Sequence, residues 1–151
     1  MRWILRQHAE DAQGMTFARC VLTALAVAWA SIACAAENLT FQDQTSTSGL
    51  QSIYAGDYDF TVGGGVSSFD CNGDGFSELF LAGGENRAAL FQNHSAQGGD
   101  LKFSAIASGL ELTRVLGGYP LDINADGIVD IVLLRSGENV VMKGLGNCRF
   151  Q

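Results

Sequence analysis

Apolar residues in the body of the chain occur in short runs separated by glycine-rich and acidic turns. The clearest runs are Leu79–Leu81, Ala88–Phe91 and Ile131–Leu134, each of three or four residues. They are rich in β-branched and aromatic residues and are too short for helices, so they predict buried strands. The pattern therefore indicates an all-β fold.

These runs recur in the same order in two copies. The matched segments are 39–50 with 101–110, 63–69 with 116–121, and 88–93 with 139–144, and a third copy begins at 146–150. A period of about 50 to 60 residues made of short strands fits the blade of a propeller and is unlike a helical solenoid. We expect two consecutive four-stranded blades of an incomplete β-propeller, at about 39–100 and 101–151, within a repeat region that spans 36–151.

Each copy contains an acidic loop of nine residues, Asp70–Glu78 (loop one) and Asp122–Asp130 (loop two), which start 52 residues apart. Glycine stands at position 6 of both loops, where a positive φ lets the chain curl back. Oxygen-bearing side chains stand at positions 1, 3, 5 and 9: Asp70, Asn72, Asp74, Glu78, Asp122, Asn124, Asp126 and Asp130. Ca²⁺ takes about six to eight oxygen ligands in a flexible shell, so the loops predict two calcium sites.

The loops differ from EF-hands, which need a bidentate Glu at position 12. That position holds Leu81 in one copy and Leu133 in the other, within strand-like runs. A strand–loop–strand calcium site is therefore expected. The alternative is two solvated acidic turns, because Asn, Asp and Gly are common turn formers. Turn chemistry alone does not require the acid at position 9, which favours the cation.

The first 35 residues predict a signal peptide. An apolar stretch from Cys20 to Ala30 is followed by an Ala-x-Ala cleavage site at Ala33–Ala35, and Met15 is an alternative start. Two other interpretations stay open: a lipobox-like Ser31–Cys34, and an uncleaved anchor. We expect the protein to be secreted, periplasmic or at the cell surface. Two cysteines, Cys71 and Cys148, lie in the body, and the sequence leaves open whether they pair.

The charge of the chain excludes one class of partner. Beyond Ala35 there are six Lys and Arg against fourteen Asp and Glu, a net charge of −8. A nucleic-acid partner would need a basic face, so none is expected. Six of the acids lie in the two loops, where bound Ca²⁺ would hold them ionised and unfit for general-acid work. His94 has no evident catalytic partner in the sequence, so the region is expected to be non-catalytic.

Residues 39–151 resemble the FG-GAP/VCBS repeats of integrin-type β-propellers. Two further motifs, Phe41-x-Asp43-x-Thr45…Ser48-Gly49-Leu50 and Asn86-Arg87-x-x-Leu90-Phe91-Gln92-Asn93, resemble the ASPIC/UnbV (cartilage acidic protein-like) group. The resemblance implies that the four oxygen-bearing positions of each loop bind Ca²⁺, with the backbone carbonyls of Phe76 and Ile128 completing the shells. Glu78 departs from the usual Asp and is one methylene longer, which makes loop two the better calcium site.

The leading hypothesis is an exported calcium-binding module for adhesion to, or recognition of, a protein or glycan ligand. The alternative is a fragment of a carbohydrate-active lyase or hydrolase whose active site lies in missing blades, and a third is a structural spacer. Propellers close with about four to eight blades, so further blades are expected to be missing from this chain. A ring assembled from several two-blade chains is the other interpretation.

Overall fold

The computed structural model describes residues 40–151, of which Asp43–Gln151 form one compact unit. The predicted signal peptide at residues 1–35 lies outside the described residues. Within the described part the fold is all-β, with one short 3-10 helix at Tyr58–Phe60. The strands are β1 (Val66–Phe69), β2 (Glu78–Leu81), β3 (Ala89–Asn93), β4 (Phe103–Ile106), β5 (Val115–Leu121), β6 (Asp130–Arg135) and β7 (Val140–Met142).

The first sheet is an antiparallel meander in the order β1-β2-β3-β4. Phe69 pairs with Glu78 across β1 and β2, so loop one is the hairpin connection between these strands. Burial alternates along β2, where Glu78 and Phe80 are fully buried and Leu79 and Leu81 are partly exposed. This alternation is expected for a strand with one face on the core.

The second sheet repeats the arrangement in the order β5-β6-β7, and loop two connects β5 to β6. It has three strands, so the prediction of four strands in this blade was wrong. Phe150, the counterpart of Phe103 in β4, forms only an isolated bridge with Gly144. A left-handed turn at Asn147 and Cys148 separates this residue from β7.

The predicted repeat of the Ser-Gly-Leu segments has a structural counterpart. Ser48 is buried, and its carbonyl accepts the N–H of Phe103 at 2.7 Å; Ser108 makes the same bond to Phe150, also at 2.7 Å. The glycine that follows each serine has a positive φ, and a Cβ there would lie 2.3 Å from the phenylalanine carbonyl oxygen. Each Ser-Gly-Leu segment therefore holds the start of the next copy, and a larger residue would displace it.

Both sheets share one core. Its fully buried side chains are Phe80, Leu90, Leu110, Val115, Ile131 and Leu133. Strands β1 and β5 lie side by side, and Ser67 in β1 donates a side-chain hydrogen bond to the carbonyl of Gly118 in β5. A Cβ on Gly118 would lie 2.8 Å from the Phe80 ring, so glycine here allows the sheets to approach. Loops one and two consequently follow neighbouring strands. Within residues 40–151, no helix has the length and apolar character needed to span a bilayer.

Candidate metal-binding loops

In both loops the carboxylate of the first residue accepts backbone N–H groups of its own loop, and the donor at position 6 is common to the two copies. Asp70 accepts the N–H groups of Gly73 and Gly75 at 2.7 and 2.8 Å. Asp122 accepts those of Asp126 and Gly127 at 3.2 and 2.9 Å. These bonds turn the carboxylate at position 1 back over its own loop, as the curled geometry predicted from the sequence requires.

Positions 3 and 5 are linked to each other in both copies. In loop one, the amide of Asn72 donates to Asp74 at 2.9 Å, and the N–H of Asp74 donates back to the Asn72 oxygen at 2.9 Å. The corresponding distances between Asn124 and Asp126 in loop two are 2.8 and 3.0 Å. Position 5 also accepts the N–H of position 7, which is Phe76 or Ile128. The structure therefore brings positions 1, 3, 5 and 7 into one turn.

A left-handed backbone occurs twice in each loop. The predicted glycine at position 6 has φ +85° at Gly75 and +81° at Gly127. Position 4 is also left-handed, with φ +78° at Gly73 and +57° at Ala125. The left-handed backbone at position 4 was not predicted from the sequence. Loop two has alanine there, which hides the need for the positive φ that Gly73 adopts in loop one.

Position 9 has a different environment from the other three. Asp130 is 3% exposed, and its two oxygens accept the N–H groups of Ile123 at 3.1 Å and Gly144 at 2.8 Å. Glu78 is fully buried, and its Oε2 accepts the N–H of Cys71 at 3.0 Å. Its other oxygen, Oε1, is buried without a hydrogen-bond partner among the described residues. The acid at position 9 is the first residue of the following strand. Its side chain thus connects that strand to the backbone N–H of position 2 at the start of the loop.

The sequence left the pairing of two cysteines open, and the structure shows a disulfide between Cys71 and Cys148, whose Cα atoms are 4.8 Å apart. The N–H of Cys148 also donates to the carbonyl of Cys71 at 3.2 Å. Oε2 of Glu78 lies 3.2 Å from one sulfur and 3.6 Å from the other. Because disulfide sulfurs carry no hydrogen, these are packing contacts of a carboxylate against the disulfide.

The acids of the loops differ in their electrostatics. Burial raises the pKa of Glu78, and the nearby charges of Asp70 and Asp74 raise it further. The N–H of Gly75 lowers the pKa of Asp70, and that of Ile128 lowers the pKa of Asp126. Backbone N–H groups therefore favour the ionised forms of Asp70 and Asp126, whereas Glu78 carries its charge at a cost.

Within residues 40–151, one group of three acidic, cysteine or histidine side chains has ligand atoms within 4.8 Å of one another: Cys71, Glu78 and Cys148. The three acids of loop one do not form such a group, nor do those of loop two. The calcium-ligand sets predicted for the loops, including the carbonyls of Phe76 and Ile128, stay predictions.

Comparison with known proteins gives one result. Residues 70–133 match the family model of the FG-GAP-like repeat. This chain carries an FG-GAP-like repeat. The match begins at the first residue of loop one, contains all of loop two and ends in β6, and the two antiparallel sheets are consistent with blades of an FG-GAP β-propeller. Comparisons with curated proteins and with solved structures gave no match. The narrower resemblances, to the ASPIC/UnbV group and to integrin-type propellers, stay predictions.

Proposed function

We propose that residues 36–151 are part of an exported, calcium-stabilised β-propeller that recognises a protein or glycan ligand and performs no catalysis. The observation that carries the proposal is the similarity of the two loops. They have oxygen-bearing side chains at the same positions and share the hydrogen bond that position 6 donates to position 1, and they stand after neighbouring strands within an FG-GAP-like repeat.

The donor set fits a hard cation, since every side chain at the four positions offers oxygen. An ionised carboxylate has about four lone-pair sites. Asp70 uses three of its sites on the N–H groups of Asn72, Gly73 and Gly75, whereas Asp122 uses two. Asp130 likewise uses two. Glu78 uses one, so positions 1 and 9 together keep the same number of free oxygen sites in both loops. The expectation that loop two binds Ca²⁺ more tightly therefore rests on the longer side chain of Glu78 in loop one.

The role proposed for Ca²⁺ is structural. When bound, it neutralises acids that otherwise repel one another at the ends of neighbouring hairpins. The chain's own residues do the rest: positions 1, 3 and 5 are oriented by backbone N–H groups, and position 9 connects the loop to the core. Recognition would then depend on surfaces that the stabilised sheets display.

Calorimetric titration of the full chain with Ca²⁺ after EGTA treatment tests this proposal. We expect two bound ions, loss of one in Asp122→Ala, and loss of the weaker one in Asp70→Ala. At a free concentration of 100 times Kd, one site stabilises the fold by about 2.7 kcal/mol, so the melting temperature rises with Ca²⁺. The control is Glu138→Ala, which removes an exposed acid outside the loops. Absence of binding heat, together with an unchanged melting temperature in EGTA, would contradict structural calcium.

Export and recognition have separate tests. Mass spectrometry of the chain recovered from cells is expected to show an N-terminus at residue 36. A glycan array, run in Ca²⁺ and again in EGTA, is expected to show binding only with Ca²⁺ for a glycan ligand. A protein ligand would leave the array blank and be captured by crosslinking at the surface of the source cells. If neither method yields a ligand, recognition is overturned and the spacer hypothesis replaces it.

A further inference from the structure

Three side chains that can bind metal meet beside loop one. Cys148 is 3% exposed and Glu78 is fully buried. The third member, Cys71, lies partly buried at position 2 of the loop. The Glu78 carboxylate is within 3.2 and 3.6 Å of the two sulfurs. Two sulfurs and a carboxylate within 4.8 Å of one another form a compact donor set.

The carboxylate in this group has an unsatisfied atom. Oε1 of Glu78 is buried without a hydrogen-bond partner among residues 40–151. Its counterpart in loop two has no such atom, because both oxygens of Asp130 accept backbone N–H groups. A buried, unpartnered carboxylate oxygen costs free energy unless a cation or a donor compensates it. The disulfide supplies neither, since its sulfurs carry no proton and no positive charge.

The chemistry of the group changes when the disulfide is opened. A dithiol reductant transfers two electrons and two protons to the disulfide, which becomes two thiols while the reductant becomes a cyclic disulfide. Thiolates prefer soft or borderline cations, and Zn²⁺ binds Cys and carboxylate ligands in tetrahedral geometry. Zn²⁺ would displace the two thiol protons and so supply the positive charge that the carboxylate lacks. We propose that the reduced chain binds one zinc ion through Cys71, Cys148 and Glu78.

The required movement is small. Zn–S bonds of about 2.3 Å in a tetrahedral site place the two sulfurs about 3.8 Å apart. Cys148 stands in a turn after the last strand, where it and Asn147 have φ of +57° and +48°. Left-handed backbone at non-glycine residues is strained. Cys71 stands in a loop and can also shift. Three protein ligands leave a fourth position for water.

Glu78 belongs both to this site and to the oxygen set predicted for loop one, but the two proposals give it different partners. Ca²⁺ takes oxygen ligands, whereas the zinc site depends on two thiolates and so exists only in the reduced chain. Calcium titration of the oxidised chain and cobalt titration of the reduced chain without Ca²⁺ therefore test the two proposals separately. Absence of calcium binding would leave the zinc proposal standing, and a missing thiolate band would leave the calcium proposal standing.

Cobalt titration of the full chain tests the proposal, with Cys20→Ser and Cys34→Ser introduced to leave only the two body cysteines. After anaerobic reduction and removal of the reductant, we expect one bound Co²⁺ with a thiolate charge-transfer band, displaced by one equivalent of Zn²⁺. The oxidised chain is expected to show no band. Cys148→Ser should abolish the band. Glu78→Gln should weaken binding by more than about 10-fold, because it replaces an anionic ligand and even the loss of a group behind a ligand costs about 10- to 100-fold.

The matched control is Asp130→Asn, which alters the corresponding acid of loop two and should leave cobalt affinity unchanged. Circular dichroism of the reduced chain, with and without Zn²⁺, covers the case in which reduction unfolds the protein. We expect Zn²⁺ to raise its melting temperature or to restore its strand signal. A missing thiolate band, equal affinity in Glu78→Gln, or a reduced chain that Zn²⁺ neither stabilises nor refolds would each overturn the proposal.

Discussion

Loops one and two share a backbone path but are anchored to the rest of the fold in different ways. In loop two, the carboxylate of Asp130 bridges the N–H of Ile123 and the N–H of Gly144, which follows β7. In loop one, Glu78 accepts the N–H of Cys71, and a disulfide from Cys71 to Cys148 attaches the loop to a distant segment. The same local geometry is thus held by hydrogen bonds in one copy and by a covalent bond in the other.

The different attachments of the two loops show which features are determined by the loop residues themselves and which depend on the rest of the fold. The bonds among positions 3, 5 and 7, and the bond that position 6 donates to position 1, occur in both copies, so the side chains and glycines of the loop are sufficient to build its turn. The attachment of the loop depends on which segment lies against position 2 and position 9. Replacing Asp by Glu lengthens the side chain, and the disulfide occupies the space beside it.

The largest effect is expected from removing the disulfide. It closes a segment of 77 residues, and the chain-entropy relation gives a loss of about 4 kcal/mol in unfolding free energy for a loop of this size. Urea denaturation of Cys71→Ser, Cys148→Ser and the double variant, all in EGTA, measures it. The three variants should lose the same amount, because either change breaks the same bond. A double variant that loses less than half of this would show that the attachment is not made by the disulfide.

A somewhat smaller loss is expected when the attachment of loop two is removed. Asp130→Ala leaves the N–H groups of Ile123 and Gly144 without their acceptor, and unsatisfied buried groups cost about 1–3 kcal/mol each. We expect a loss of about 3 kcal/mol in urea denaturation with EGTA present, so that calcium binding does not contribute. The control is Asp126→Ala in the exposed part of the same loop, which should cost under about 1 kcal/mol. Equal losses in the two variants would contradict the anchoring role.

Glu78 should give loop one a pH dependence of its own. Because its pKa is raised in the folded state, its contribution to stability is fully present below the ordinary Glu pKa and is lost as pH rises through the raised value. Gln at this position does not titrate. Melting curves in EGTA, from about pH 4 to about pH 8, should therefore show Glu78→Gln gaining stability relative to the wild type as pH rises.

The exposed Glu138→Gln variant serves as the reference in these melting curves and should run parallel to the wild type. The prediction fails if the stability difference between Glu78→Gln and the wild type is constant across the pH range, or if it grows toward low pH.

The smallest effect is expected from exchanging the residues at position 4. A left-handed φ costs a non-glycine residue roughly 1–2 kcal/mol, and no atom lies within 4 Å of a Cβ on Gly73, so Gly73→Ala should lose about 1 kcal/mol. Ala125→Gly should change stability in the opposite direction and by less, because glycine also gains entropy in the unfolded chain. Differential scanning fluorimetry of both variants shows whether each melting temperature rises or falls relative to the wild type. Changes in melting temperature in the same direction would contradict the conclusion that position 4 has the same left-handed backbone in both loops.

Much of the fold followed from the sequence because its signals are local and occur twice. The runs at 79–81 and 131–134 became β2 and β6, and the Ser-Gly-Leu repeats became equivalent contacts. The pairing of Cys71 with Cys148 could not be read from the sequence, because it depends on where a segment 77 residues away is placed. The backbone N–H groups that position 9 accepts were not predicted, for a related reason. They depend on how the loop and the following strands pack, which the side-chain chemistry of Glu78 and Asp130 does not reveal. Whether these acids also bind Ca²⁺ stays a prediction.

The N–H of Phe103 in the second copy donates a hydrogen bond to the carbonyl of Ser48 in the first copy. The hydrophobic core also contains residues of both copies. If the two copies were separated, this hydrogen bond would be lost and the core would be split. Neither copy would then keep all of its packing and hydrogen-bond partners. One repeat of the sequence is therefore not a unit that folds by itself. Chemical denaturation of Asp43–Gln151 should proceed as a single all-or-none transition, without a plateau in which one blade has melted and its neighbour has not.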